Sequence, residues 1–182
     1  MDIDGFWRLV ERSGRARDTL AGREDWLVSV LSRLDRTHIE DFEMRLQECR
    51  DRIDNAAVWG AADVLLDGCS TDGFWYFQCW LIGQGREAFE RVAADPDALA
   101  TLPSVHRLTR PRRDWADEEW PWWEALAYVA RAAYPGDDEV FDEALERRGF
   151  WIRCDPRTPD WSRPRSYPRL AGLFGRVSGG PG

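Results

Sequence analysis

The stretch Gly68-Cys69-Ser70-Thr71-Asp72-Gly73 sets a thiol, two hydroxyls and a carboxylate side by side between two apolar runs. A thiol just before a helix start lies where the helix dipole favours thiolate, the form that acts as a nucleophile. Asp72 works against this, because a nearby carboxylate disfavours a second negative charge. Neither His38 nor His106 is adjacent in sequence to serve as the base that nucleophilic catalysis requires. Cys69 is therefore read first as a structural residue. Ser70 and Asp72 can cap the following helix by accepting hydrogen bonds from its first backbone N–H groups.

The alternative is a ligand pocket at the same corner. The amides of the helix start and Arg86 would hold an anionic group, with Trp59, Tyr76 and Trp80 as walls. Arg86 can equally pair with an acid or cover the carbonyl end of a helix, where a cation is favourable. Glu124, beside Trp123, becomes a candidate acid or base if it is buried, since burial raises a carboxyl pKa. Exposed in a first helical turn, it simply answers the dipole.

Metal and cofactor chemistry find no support in the residue pattern. Two His and scattered Cys give no HExxH, CxxC or carboxylate loop, and Gly83-Gln84-Gly85 lacks the strand and the glycine spacing of a phosphate loop. Cys49, Cys69, Cys79 and Cys154 lack paired short spacing, and a chain of 182 residues needs no disulfide framework. Reduced thiols and a cytoplasmic location are expected. The net charge of -8 argues against nucleic-acid binding, which needs a cationic face. The clusters Arg107, Arg110, Arg112, Arg113 and Arg163, Arg165, Arg169 then suggest local contacts with acids. No long apolar run or charged-then-apolar N-terminus suggests a membrane span or export.

The elements that would position these groups read as helices throughout. Phe6, Trp7, Leu9 and Val10 form an inward stripe capped by Asp2 or Asp4 and stopped at Ser13-Gly14. Arg23 to Leu34 carries Trp26, Leu27, Val30, Leu31 and Leu34 inward and Arg23 outward. Thr37-His38-Ile39-Glu40 has the spacing of a capping box. The helix it opens buries Ile39, Phe42, Leu46, Cys49 and Ile53 and turns Glu43, Arg45, Glu48, Arg50 and Asp51 to water. Val58 to Asp67 forms a further helix closed by a left-handed Gly68, and Gly73 to Gln84, apolar nearly all round, belongs at the centre.

Arg86 to Val92 is a short helix, Pro96 starts a turn, and Thr101 to Arg113 is loop. The four Trp of 115–123 precede a helix opened by Pro121 and ended at Pro135-Gly136. Asp137 caps a last helix through Val140, Phe141 and Leu145, and residues 150–154 form a short extended piece. The expected fold is all-α: one compact multi-helix domain over residues 1–154, a central aromatic-rich helix, and an irregular tail over 155–182. With 11 Trp, ring burial is the default reading of the aromatic stretches.

Trp59-Gly60-Ala61-Ala62, Gly68-Cys69-Ser70, Asp72-Gly73-Phe74, Tyr76-Phe77, Trp80-Leu81-Ile82-Gly83, Gly85-Arg86 and Asp95-Pro96 together resemble the bacterial family catalogued as domain of unknown function 4240. Phe6-Trp7 and Trp123-Glu124 extend the likeness over roughly three quarters of the chain. The resemblance implies a small helical bacterial domain and brings no catalytic residues with it. Two classes of function follow. One is a non-catalytic protein-binding or regulatory domain, immunity-like in character, that meets a basic partner through acidic faces and exposed aromatics. The other is a small-molecule binder or enzyme of bacterial secondary metabolism, its pocket formed by Cys69 to Asp72, Arg86 and Glu124 around a small anionic ligand.

Overall fold

The computed structural model describes residues 1–153, 155–157 and 166–175, and among these the chain is all-α, with no strand. Helix α1 (Ile3–Ala16) is capped by Asp2, which accepts from the Gly5 amide at 2.7 Å. It does not stop at Ser13-Gly14. Ser13 is buried, and its Oγ donates to the Val10 carbonyl at 2.7 Å, so the hydroxyl is satisfied inside the helix. Helix α2 (Leu20–Leu31) starts at a Thr19 cap, ahead of the expected Arg23, and leaves Leu34 exposed beyond its end.

Helix α3 (Arg36–Ile53) buries the five apolar residues its period predicts. Its start differs from expectation: Asp35 is the N-cap residue, Thr37 lies inside the helix, and no capping box forms. Glu40 instead accepts from the Tyr134 hydroxyl and from Arg148, both at 3.0 Å. Asn55 caps α4 (Ala56–Leu66) through two hydrogen bonds of 3.0 Å. At its end Asp67, not Gly68, takes the left-handed turn at φ 55°, with Gly68 following at φ 113°.

Helix α5 (Thr71–Gly83) is the hub and packs on α1, α3, α4 and α6 (Arg86–Ala94). Its Phe74, Phe77, Leu81 and Ile82 are fully buried. Trp59 stacks on Phe74 with ring centroids 4.5 Å apart, and Phe77 meets Trp80 at 5.5 Å. Gly83 is where α5 must have no side chain: a Cβ there would come within 2.7 Å of the Trp123 ring.

After a 3-10 turn at Pro96–Thr101, the expected loop contains a short helix, α7 (Pro103–Arg107). The Trp-rich region departs furthest from expectation. It runs as 3-10 turns at Asp117–Glu119 and Glu124–Tyr128, and only α8 (Val129–Ala133) is α-helical. Among its rings, Trp115 and Trp123 are buried, Trp120 is half-buried and Trp122 is exposed. Helix α9 (Asp138–Glu146) carries its Asp137 cap and buries Phe141 and Leu145, but Val140 is exposed.

Residues 150–153 form no strand, and Cys154, Arg163 and Arg165 lie outside the described residues. Within the segment expected to be irregular, α10 (Pro168–Leu173) is helical and packed against α4 and the 96–101 turn. The Tyr167 hydroxyl donates to the Ala57 carbonyl at 2.6 Å, and Asp97 accepts from the Arg169 and Leu170 amides at 3.0 and 2.9 Å. Arg169 thus meets acids locally, pairing with Asp95 and Asp97.

Candidate functional site

The corner before α5 is held by its own polar atoms. Ser70 is the N-cap, its Oγ accepting from the Gly73 amide at 3.1 Å. The Trp59 indole donates to the Cys69 carbonyl at 2.9 Å, and Asp63 accepts from the Cys69 amide at 2.9 Å. Burial, with Asp63 adding to it, pushes the Cys69 thiol up to about 12. At neutral pH this sulfur is therefore a thiol and a poor nucleophile. Asp72 is exposed in the first turn of α5.

One turn further, Tyr76 is hydrogen-bonded through its hydroxyl to Glu124, which raises the phenol pKa. The Trp123 amide donates to the Tyr76 carbonyl at 3.2 Å, so the 120–128 segment is pinned along this side of α5. Glu124 is exposed at the start of its 3-10 turn, and Asp72 and Tyr128 also act on Tyr76. Two residues before Glu124 in the chain Trp122 is 43% exposed, and Tyr128 is 51% exposed. Trp122 stacks on Trp120 with centroids 4.8 Å apart, and Trp120 meets Trp115 edge-on at 4.8 Å, so the outer ring is braced from the core outward. Asp72, Asp117, Glu118 and Glu124 make no ion pair with any described residue.

The eight residues singled out in the sequence do not form one pocket. Trp59, Cys69 and Ser70 share the corner, Asp72, Tyr76 and Glu124 share the open face, and Trp80 is buried against Phe77. Arg86 is at the far end of α5, which spans roughly 20 Å at about 1.5 Å per residue. There its Nη1 donates to Asp4 at 2.6 Å and its amide to Glu11 at 3.3 Å.

A second polar group escaped the sequence reading altogether. Glu43 and Arg50, expected in water, are 3% and 2% exposed, and Gln47, Asp54 and Gln78 are buried with them. Arg50 lies on the face of the Trp75 ring, and its Nε donates to Gln78 at 3.4 Å. Gln78 donates in turn to Asp54 at 3.4 Å, and Arg153 binds Asp54 and Asp51 at 2.7 and 2.6 Å. Burial pushes the Glu43 carboxyl up to about 7 although Arg50 and Arg131 oppose the shift, and it pushes the Cys79 thiol up to about 11. The signal for this seam was in the sequence. Glu40, Glu43, Gln47, Arg50 and Asp54 repeat the 3-4 spacing of the apolar stripe, displaced by one residue, so α3 buries two adjacent stripes.

Fold and site together define a helical domain with a buried charged seam, an open acidic aromatic face and, among the described residues, no group of His, Cys, Asp or Glu placed to hold a metal. A family model described as protein of unknown function (DUF4240) matches residues 1–136, and the chain belongs to that family. No curated protein and no solved structure matches it. No helix of the described residues is long and apolar enough to cross a membrane.

Proposed function

We propose that this chain is a non-catalytic recognition domain whose open face, formed by Asp72, Tyr76, Trp122, Glu124 and Tyr128, receives a cationic segment of a protein partner. The observation that carries the reading is the coincidence of exposed rings with carboxylates that pair with no arginine among the described residues. Several other surface acids are held by arginines, as in Arg52 with Glu90 and Arg131 with Asp142. Unmatched acids beside braced aromatic rings suit a lysine or arginine side chain, which can stack on the ring while meeting the carboxylate. Large aromatics at the centre of a contact surface also carry much of the binding energy. The neutral Cys69 thiol and the separation of Arg86 from Glu124 speak against the corner pocket as a catalytic site.

The test compares capture from the native host at low ionic strength by the wild-type chain and by Trp122→Ala/Glu124→Gln, followed by titration with the purified captured protein. A cationic protein held by the wild type, released by salt and lost from the variant supports the reading. Equal capture by both chains, or a purified protein whose affinity ignores the variant, overturns it.

A further inference from the structure

Helix α10 has six residues, and isolated helices shorter than about 12 residues are marginal in water, so it depends on what it docks against. Its N-cap residue, Tyr167, provides no side-chain cap, and Pro168 occupies its first position. The cap comes from another element. Asp97, on the 96–101 turn and only 6% exposed, accepts from the Arg169 and Leu170 amides at 3.0 and 2.9 Å and from Arg169 Nε at 3.0 Å. Burial works to raise the Asp97 carboxyl, but the bonds from Leu170 and Arg169 outweigh it and hold the group below the usual carboxylate range. Asp95 pairs with the same guanidinium.

The receiving side is shaped for a tyrosine. Gly60 stands in the interior of α4, where glycine costs helix stability relative to alanine. A Cβ at this position would strike the Tyr167 side chain, lying 3.1 Å from its Cζ. The missing side chain opens a notch in which the phenol passes against α4 and donates to the Ala57 carbonyl at 2.6 Å. Tyr167, Leu170 and Ala171 are buried in this contact, while Arg169 keeps about half of its side chain in solvent. Ala57, Gly60, Asp95 and Asp97 all lie within residues 1–136, the part the family model matches, and the segment that fills the notch lies outside it.

We propose that the Gly60 notch and the acids of the 95–97 turn form a peptide-docking groove for Tyr-Pro-Arg-Leu segments. Residues 167–170 are its ligand in cis, which detaches as a unit and is replaced in trans by a segment of the same pattern. Tyrosine supplies the ring and the hydroxyl, proline starts the helical turn, arginine meets Asp95 and Asp97, and leucine is buried against the domain. Folding coupled to binding suits a segment whose helix lacks a cap of its own. The groove is distinct from the acidic aromatic face, so the two assignments stand or fall separately.

Titration of a labelled synthetic peptide of residues 166–175 into the full chain, read by fluorescence anisotropy, tests the assignment. The receiving chain carries Tyr167→Ala/Leu170→Ala, which loosens its own segment and leaves the groove intact. Expected is saturable binding to this chain, and binding at least about tenfold weaker to the wild type, whose tethered segment competes intramolecularly. A peptide carrying Tyr167→Ala, or a receiving chain that also carries Gly60→Ala, should likewise lose at least about tenfold. Absence of saturable binding, or an affinity indifferent to both changes, would overturn the groove. Hydrogen exchange in the wild-type chain decides the matter without any variant. The Arg169 and Leu170 amides should exchange at least about tenfold faster than those in the interior of α4, through an opening that leaves α4 protected. Exchange of the segment and α4 together at one rate would overturn the detachable ligand.

Discussion

The buried seam along α3 and the open face beside α5 contain the same kinds of residue, acids next to aromatic rings, and use them in opposite ways. In the seam the charges are enclosed by the fold. Arg50 lies on Trp75 and reaches Gln78, Asp54 is shared by Gln78 and Arg153, and Glu43 is raised to about 7 because it is dry. On the face, Asp72 and Glu124 have no guanidinium partner among the described residues, and Trp122 and Tyr128 remain in solvent. Charge in the seam is committed to the fold. Under the proposed role, charge on the face is left for a partner. Substitutions in the seam should therefore cost stability, and substitutions on the face should cost binding.

Arg50→Ala is expected to give the largest loss, about 3–5 kcal/mol by chemical denaturation, because it removes the buried cation that acts on Glu43, leaves Gln78 without its donor and uncovers Trp75. A loss below about 1 kcal/mol would mean that the seam is not a structural device and would dissolve the contrast. Glu43→Gln sharpens it through pH. Since the folded-state pKa is raised to about 7 from an ordinary value near ~4.3, the native state binds more protons than the unfolded chain between those values. Wild-type stability should then fall as pH rises from about 4 to about 7 through this group, while the Gln variant lacks that slope. At pH about 8 the variant should be the more stable of the two, on the order of 2 kcal/mol. A pH profile identical in both chains would show Glu43 to be hydrated.

Ser70→Ala removes the α5 cap and should cost about 1 kcal/mol with no effect on binding, separating the corner from the face it adjoins. Trp122→Ala should move stability by no more than about 0.5 kcal/mol, yet weaken the partner by roughly 2 kcal/mol or more.

Much of this was legible where one residue acts locally. The caps at Asp2, Ser70 and Asp137 and the apolar stripe of α3 follow from short-range hydrogen bonding and from a 3.6-residue period. The seam was not found because a charged residue beside an apolar stripe is read as a solvated flank. Only the repeat of that flank at the same spacing distinguishes a helix buried on two sides. Arg23 was misplaced for the same reason, its partners being carbonyls and a hydroxyl distant in sequence. The Trp115 to Tyr134 region was misread because Pro121 suits the first turn of a regular helix, whereas the chain there runs as 3-10 turns, with Trp115, Trp120 and Trp122 clustered and Trp123 buried under Arg23. For Arg86 the plainer alternative, pairing with an acid, is the one realised.

The most direct measurement is the affinity of the purified cationic partner, at low ionic strength, for Asp72→Asn/Glu124→Gln and for Glu43→Gln beside the wild type. The face variant should lose about tenfold or more while Glu43→Gln binds as the wild type does. If the two variants bind alike, or the seam variant is the weaker, the division between committed and available charge is wrong.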